Sequence, residues 1–327
     1  MTSFDPTIQA RLIRDLEPAV AVELERHLKI QKDWYPHDYV PWSEGRDYAG
    51  PLNGDAWEAK DSRLTPVAQD SLVLNLLTED NLPSYHTEIA ISMGRDGAWG
   101  NWIERWTAEE ARHAIVIRDY LMATRGVDPY ELEDLRMAHM SLGYQTPYEN
   151  DMLHTIAYVS FQELATRISH RNTGKLSDDP IAEGMMQRVA LDENLHMLFY
   201  RNTLSAALDM EPNAAMRAIA DVVTNFDMPG PICLALVAKL CRLLWLEFMI
   251  SSSTSMMLSH LFYVHGMSLN VLISQEMDSR PVKNSAHLWI RPIRLLRYLT
   301  ISAKSTSSVK SLAVFNQFAS PTRPQIR

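Results

Sequence analysis

Glu110-Ala-Arg-His113 and Glu193-Asn-Leu-His196 each place a carboxylate and an imidazole three residues apart in a chain of 327 residues. On a helix this spacing puts both side chains on one face, where they can hold the same ion. Two further carboxylates precede these pairs at matching distances. Glu79 lies 31 residues before Glu110, and Glu163 lies 30 before Glu193. Brought together, four carboxylates and two imidazoles make a hard, oxygen-rich nest capped by nitrogen, a donor set suited to two iron ions. Two helices that each bring a Glu, and two that each bring Glu-x-x-His, are the ligand layout of di-iron carboxylate bundles.

Either Glu-x-x-His alone reads more simply as a surface pair, because the motif is weak. The surroundings of the two copies argue otherwise. Trp106, Ala114 and Ile117 share the face of Glu110, and Val189 and Met197 flank Glu193 by one turn. Ile156 and Val159 precede Glu163 on its stripe, and Leu76 and Leu82 flank Glu79. An ionised carboxylate on an apolar face is costly without a partner, and a metal cation removes that cost. The other nine His have no comparable arrangement and read as surface or hydrogen-bonded core residues. The 17 Met and the series Trp99, Trp102, Trp106 read as core packing.

Four helices must present these groups. One is expected over 66–94 behind Thr65-Pro66, kinked near Glu79 because Pro83 has no N–H for the Glu79 carbonyl. The others are expected over 98–125, stopped by Gly126; over 147–172, stopped near Gly174; and over 180–208, capped by Asp178-Asp-Pro180. The links within the first and second pairs are short, and 127–146 between them is long enough for helical turns of its own. The reading is all-α: a ferritin-like four-helix bundle with additional flanking helices. A lead helix over 5–32 follows from Ile13, Leu16, Val20, Leu24 and Leu28. The aromatic, Pro- and Gly-rich 34–61 reads as ordered and non-helical.

Composition divides the chain. From Pro231 onward 11 Lys and Arg stand against 3 Asp and Glu, whereas the preceding residues carry 20 against 37. Both Cys and the Ser-rich runs 251–255 and 305–308 fall after this break. The net charge of −9 argues against a general nucleic-acid binder. Met1 to Pro6 shows no basic stretch leading into an apolar run, and two Cys imply no disulfide framework, so a cytoplasmic protein is expected. Pro231 to Ile250 is apolar but contains Lys239, Arg242 and Glu247, a poor membrane span.

Residues 1–230 resemble the soluble acyl-acyl-carrier-protein (acyl-ACP) desaturases, the actinobacterial branch above all. The segments Thr78-Glu-Asp-Asn-Leu-Pro-Ser-Tyr85, Trp106-Thr-Ala-Glu-Glu-Ala-Arg-His113, Ser160-Phe-Gln-Glu-Leu-Ala-Thr166 and Ala190-Leu-Asp-Glu-Asn-Leu-His196 carry the likeness. Lys32-Asp-Trp-Tyr-Pro36 and Ile168-Ser-His170 add to it. The resemblance implies Glu79, Glu110, His113, Glu163, Glu193 and His196 as iron ligands, with Glu110 and Glu193 bridging. It places Thr166 near the oxygen-binding side, where ordinary helix back-bonding explains a threonine equally well. It makes Asp192 and Trp34 the link from His113 to the surface for electron entry.

The implied activity is O2-dependent introduction of a cis double bond into a saturated acyl chain held on acyl carrier protein. The partners would be that carrier, a ferredoxin-type electron donor and a second copy in a homodimer. The carrier of this family is acidic, so a local basic patch is required on an otherwise acidic body. After Asn225-Phe-Asp-Met-Pro-Gly230 the likeness ends, and 231–327 reads as an atypical basic tail such as a shifted reading frame or gene decay produces, or as poorly ordered; a divergent tail is the alternative. The competing functions are an impaired desaturase remnant and a ferroxidase or iron-storage bundle, the latter opposed by the long 1–60 lead.

Overall fold

A computed structural model of the chain describes residues 6–146, 148 and 151–226. The expectation for 231–327 lies outside the described residues. Within them the regular elements are helical, beside an isolated bridge between Tyr48 and Asp55. No helix among them is long and apolar enough to cross a membrane.

The helices are α1 (Pro6–Ile30), α2 (Pro66–Asp80), α3 (Leu82–Met93), α4 (Gly97–Ala123), α5 (Pro129–Leu142), α6 (Met152–Leu176), α7 (Pro180–Met210) and α8 (Pro212–Asn225). Four rods form the bundle: α2 continued by α3, then α4, α6 and α7. The three-residue link 177–179 makes α6 and α7 a hairpin, whose mutual packing is the most extensive among the described helices. α1 lies against α4 and α7, α8 against α6 and α7, and α5, within the crossover, against α2. Side chains start several of these helices. Thr65 accepts from Ala68, Asp128 from Tyr130 and Glu131, Asp151 from His154, and Asp179 from Ile181 and Ala182. Each such cap stabilises its helix by about 1 kcal/mol. Leu72, Leu76, Val116, Ile117, Tyr120, Met185 and Val189 meet in the core.

Three local features differ from the sequence reading. Over 66–94 the chain makes two helices, not one kinked helix. The Glu79 carbonyl, which Pro83 cannot serve, takes the Asn81 N–H instead, and Ser84 and Tyr85 N–H groups turn to the Asn81 carbonyl. At the end of α4 the left-handed residue is Arg125 (φ 54°), not Gly126. Gly126 N–H reaches the Leu121 carbonyl at 2.8 Å and Arg125 N–H the Met122 carbonyl at 3.2 Å, the Schellman pattern. A side chain in that conformation costs about 1–2 kcal/mol. Arg125 offsets the cost by bonding Asp61 and the carbonyls of Asp55 and Ala56, and by lying 4.3 Å from the centre of the Tyr48 ring. Those bonds fasten to the bundle the segment 34–61, expected to be non-helical but carrying three short 3-10 turns, Pro36–Asp38, Trp42–Glu44 and Ala59–Asp61. Finally, α6 passes through Gly174 to Leu176. A Cβ at Gly174 would stand 3.0 Å from Met186 Cβ and 3.2 Å from Glu183 Cα, so this glycine serves close approach of α7 rather than helix termination.

The inward stripe of α1 also turns. Leu12, Leu16 and Val20 are buried as the pattern requires, but Leu28 is 46% exposed and His27 is fully buried. A polar residue takes the inward position because Glu109 awaits it.

Candidate metal centre

Glu79 closes α2, Glu110 and His113 lie on α4, Glu163 on α6, and Glu193 and His196 on α7. All six are buried. Their donor atoms fall into two overlapping groups, Glu79–Glu110–His113–Glu193 and Glu110–Glu163–Glu193–His196. Within each group the donor atoms lie within 4.8 Å of one another. Glu110 and Glu193 belong to both, which gives two ion positions sharing two carboxylates.

Nδ1 of both imidazoles faces this nest. His113 Nδ1 lies 3.2 Å from Glu193 and 3.6 Å from Glu79 and Glu110. His196 Nδ1 lies 2.7 Å from Glu110 and 3.7 Å from Glu163. These contacts are close but poorly aligned. Oε1 of Glu79, Glu110 and Glu193 and Nδ1 of both imidazoles are buried with no hydrogen-bond partner. Five orphaned donor atoms converging on one interior point fit a pair of cations, which would remove the cost of leaving them unpaired.

Electrostatics tell the same story. Burial raises Glu163, and the carboxylates of Glu193 and Glu110 push it well above the usual range. Burial also works against Glu193, yet the imidazoles of His113 and His170 beside it, at 3.2 and 3.4 Å, hold it well below that range. The imidazoles of His113 and His196 are held well above their ordinary values despite burial, His113 by Glu110 and Asp192 and His196 by Glu109 and Glu110. Without cations, protons supply the positive charge that four clustered carboxylates demand. Metal ions entering such a site displace them.

Around this nest stand groups that orient it. Trp34 Nε1 donates to Asp192 Oδ2 at 2.7 Å, and the same oxygen lies 3.5 Å from His113 Nε2. Arg112 and Arg188 also hold Asp192. The sequence-expected trio Trp34, Asp192 and His113 is therefore brought together. The Thr166 hydroxyl lies 3.0 Å from Glu193 Oε2 and within reach of the carbonyls of Gln162 and Glu163. Its single proton is shared between back-bonding and the nest.

Four neighbours escaped the sequence reading. Trp106, read as packing, also donates its indole N–H to Glu163 Oε1 at 3.0 Å. His170 lies 3.0 Å from Glu79 and 3.4 Å from Glu193; its place seven residues after Glu163, on the same stripe, was the available signal. Glu109 Oε2 lies 3.0 Å from His27 Nε2 and 2.9 Å from His196 Nε2. Here the signal was that both motif copies carry an acid directly before the Glu: Glu109-Glu110 and Asp192-Glu193.

Fold and centre together define a ferritin-like helical bundle with buried carboxylate–imidazole clusters that could hold metal. Residues 9–235 match the family model described as fatty acid desaturase, and the chain belongs to that family. It is 53% identical over 228 residues to DesA1 of Mycobacterium tuberculosis, which carries the name of an acyl-[acyl-carrier-protein] desaturase; the match covers 67% of each protein. It is 28% identical over 239 residues to the chloroplastic stearoyl-[acyl-carrier-protein] 9-desaturase 4 of Arabidopsis thaliana, covering 68% of this chain and 58% of that one. The X-ray structure of the acyl-ACP desaturase DesA2 from Mycobacterium tuberculosis superposes with a TM-score of 0.64 at 29% identity, covering 81% of this chain and 98% of DesA2.

Proposed function

We propose that this protein is an acyl-ACP desaturase holding two iron ions, one between Glu79 and His113, the other between Glu163 and His196, with Glu110 and Glu193 shared. The observation that carries the reading is the pair of overlapping donor groups with two carboxylates in common, in a member of the fatty acid desaturase family. An unactivated methylene gives acids and bases nothing to act on, so the oxidation would be supplied by the bound irons with O2, given two electrons from a ferredoxin-type donor. The chain's own residues then hold charge and exclude water. Trp34 and Asp192 connect His113 toward the surface, Trp106 fixes Glu163, and Thr166 offers a hydroxyl beside Glu193.

An acidic carrier must find cations on a body that is itself acidic. Arg167, Arg171 and Lys175 recur one turn apart along α6, with no ion-pair partner among the described residues. We assign carrier docking to that face, and a homodimer as the working assembly. The deciding experiment supplies the iron-loaded full-length protein with O2, reduced ferredoxin and a saturated acyl carrier substrate. A mono-unsaturated acyl product, identified by mass spectrometry, is expected. Iron oxidation with the acyl chain unchanged would instead make the protein a ferroxidase.

A further inference from the structure

His113 has its expected acid in Asp192, whereas the acid beside His196 is Glu109, braced by His27 from outside every sequence motif. The Nε2 of His196 lies 2.9 Å from Oε2 of Glu109. The same carboxylate oxygen takes His27 Nε2 at 3.0 Å, and Oε1 takes Arg105 Nε at 2.5 Å. His27 comes from the lead helix α1, outside the four-rod bundle, and is fully buried there. Its ring stacks on His196 with centroids 5.9 Å apart and planes 25° from parallel. Trp102 closes edge-on against both rings, at 5.1 and 6.0 Å. His27, Glu109 and His196 are close enough to be a metal triad of their own. That use would require both nitrogens of His196 to bind ions, and the Glu109 oxygens are already held by Arg105 and the two imidazoles.

Resting on the iron-binding reading above, we infer that Glu109, braced by His27 and Arg105, is a positioning residue for His196. It accepts the His196 Nε2–H, which fixes the tautomer and turns the Nδ1 lone pair toward Glu110 and Glu163. It thereby governs how tightly the ion position of Glu163 and His196 holds its metal, with little effect on the position of Glu79 and His113. The arrangement mirrors Asp192 and His113 with the halves exchanged. The acid before Glu110 on α4 serves the imidazole of α7, and the acid before Glu193 on α7 serves the imidazole of α4.

Anaerobic titration of the full-length protein with Co(II), followed by its visible absorption, tests this alongside the Glu109→Gln, Glu109→Ala and His27→Leu variants. Two ions per chain are expected in the unsubstituted protein. In Glu109→Ala one ion should bind as before, and the other about 10- to 100-fold more weakly, with an altered absorption band. The shape-preserving Glu109→Gln should fall between, and His27→Leu should shift the same ion. Thermal unfolding without metal separates positioning from general damage. A packing defect would lower that midpoint and weaken both ions alike, which would overturn the inference. So would two ions of unchanged affinity in the Glu109 variants. Absence of metal uptake by the unsubstituted protein would remove the iron-binding reading itself, and this inference with it.

Discussion

The indole nitrogen of Trp34 donates to Asp192 at 2.7 Å, joining the irregular segment after α1 to the middle of α7. The Trp34 ring stands nearly parallel to that of His113, 13° from coplanar with centroids 6.3 Å apart, and Arg112 lies over its face. An aromatic group hydrogen-bonded to the acid behind a candidate ligand suits electron entry. Trp34→Phe keeps a ring and removes the N–H. Iron content should be unchanged while reduction of the loaded protein by ferredoxin slows about tenfold or more. Stopped-flow absorption measures this, and an unaltered rate would rule out the route.

The two shared carboxylates differ from the unshared ones in what their loss should do. Glu110→Ala removes a donor from both groups, so both ions should be lost. Glu79→Ala and His196→Ala each remove a donor from one group, so one ion per chain should remain. Metal analysis after gel filtration distinguishes these patterns. Full stoichiometry in Glu110→Ala and His196→Ala would refute the assignment.

Arg136 on α5 grips both oxygens of Asp80, at 2.5 and 3.0 Å, and also bonds Glu133. Asp80 is the residue after Glu79, at the helix break, so the crossover helix clamps the turn that presents this carboxylate. Arg136→Met should destabilise the fold by about 1–3 kcal/mol, below the fully buried case because the arginine keeps some exposure. Arg136→Lys should recover only part, since an ammonium cannot bind both oxygens in a fork. Denaturant unfolding measures both.

His154 sits between Asp151, at 2.8 Å, and Asp221 of α8, at 3.4 Å. Burial alone would lower its pKa, but the two carboxylates push it up to about 9. The folded value exceeds the unfolded one, so its stabilisation is complete below about pH 6.5 and fades as pH rises through 9. The loss should be on the order of 1–2 kcal/mol after solvent screening. The change in unfolding free energy between pH 6 and pH 10 should be smaller by that amount in His154→Gln than in the unsubstituted protein, whose buried His170 titrates in the same range.

Charge reversal on α6 addresses the docking face. Arg171→Glu with Lys175→Glu should raise the KM for carrier-borne substrate about tenfold while leaving kcat near its original value, and added salt should narrow the difference. Equal kinetics at low salt would move docking elsewhere.

The six clustered side chains were readable from sequence because helical spacing converts position into facing. Glu79, Glu110, Glu163 and Glu193 each sit on an apolar stripe, and an inward carboxylate there has few reasons to exist. What stayed hidden depended on partners distant in the chain. His27 looks like an interruption of the α1 stripe until Glu109, 82 residues on, is placed beneath it. Glycine misled at two helix ends. Gly126 drew the left-handed position away from Arg125, which tolerates it through Asp61 and two carbonyls, and Gly174 signalled an ending where α7 needed room. Pro83 was correctly read as a disturbance, but whether it bends a helix or divides it depends on Asn81 offering its N–H to Glu79.

The exchange of acids between α4 and α7 has a consequence for modularity. A single hairpin lifted into another scaffold would carry an imidazole stripped of its acceptor and an acceptor with nothing to receive. Transplanting this centre therefore means moving both hairpins at once, together with the segment of α1 that bears His27. The duplicated motif looks like two separable units, yet each copy is finished only by the other.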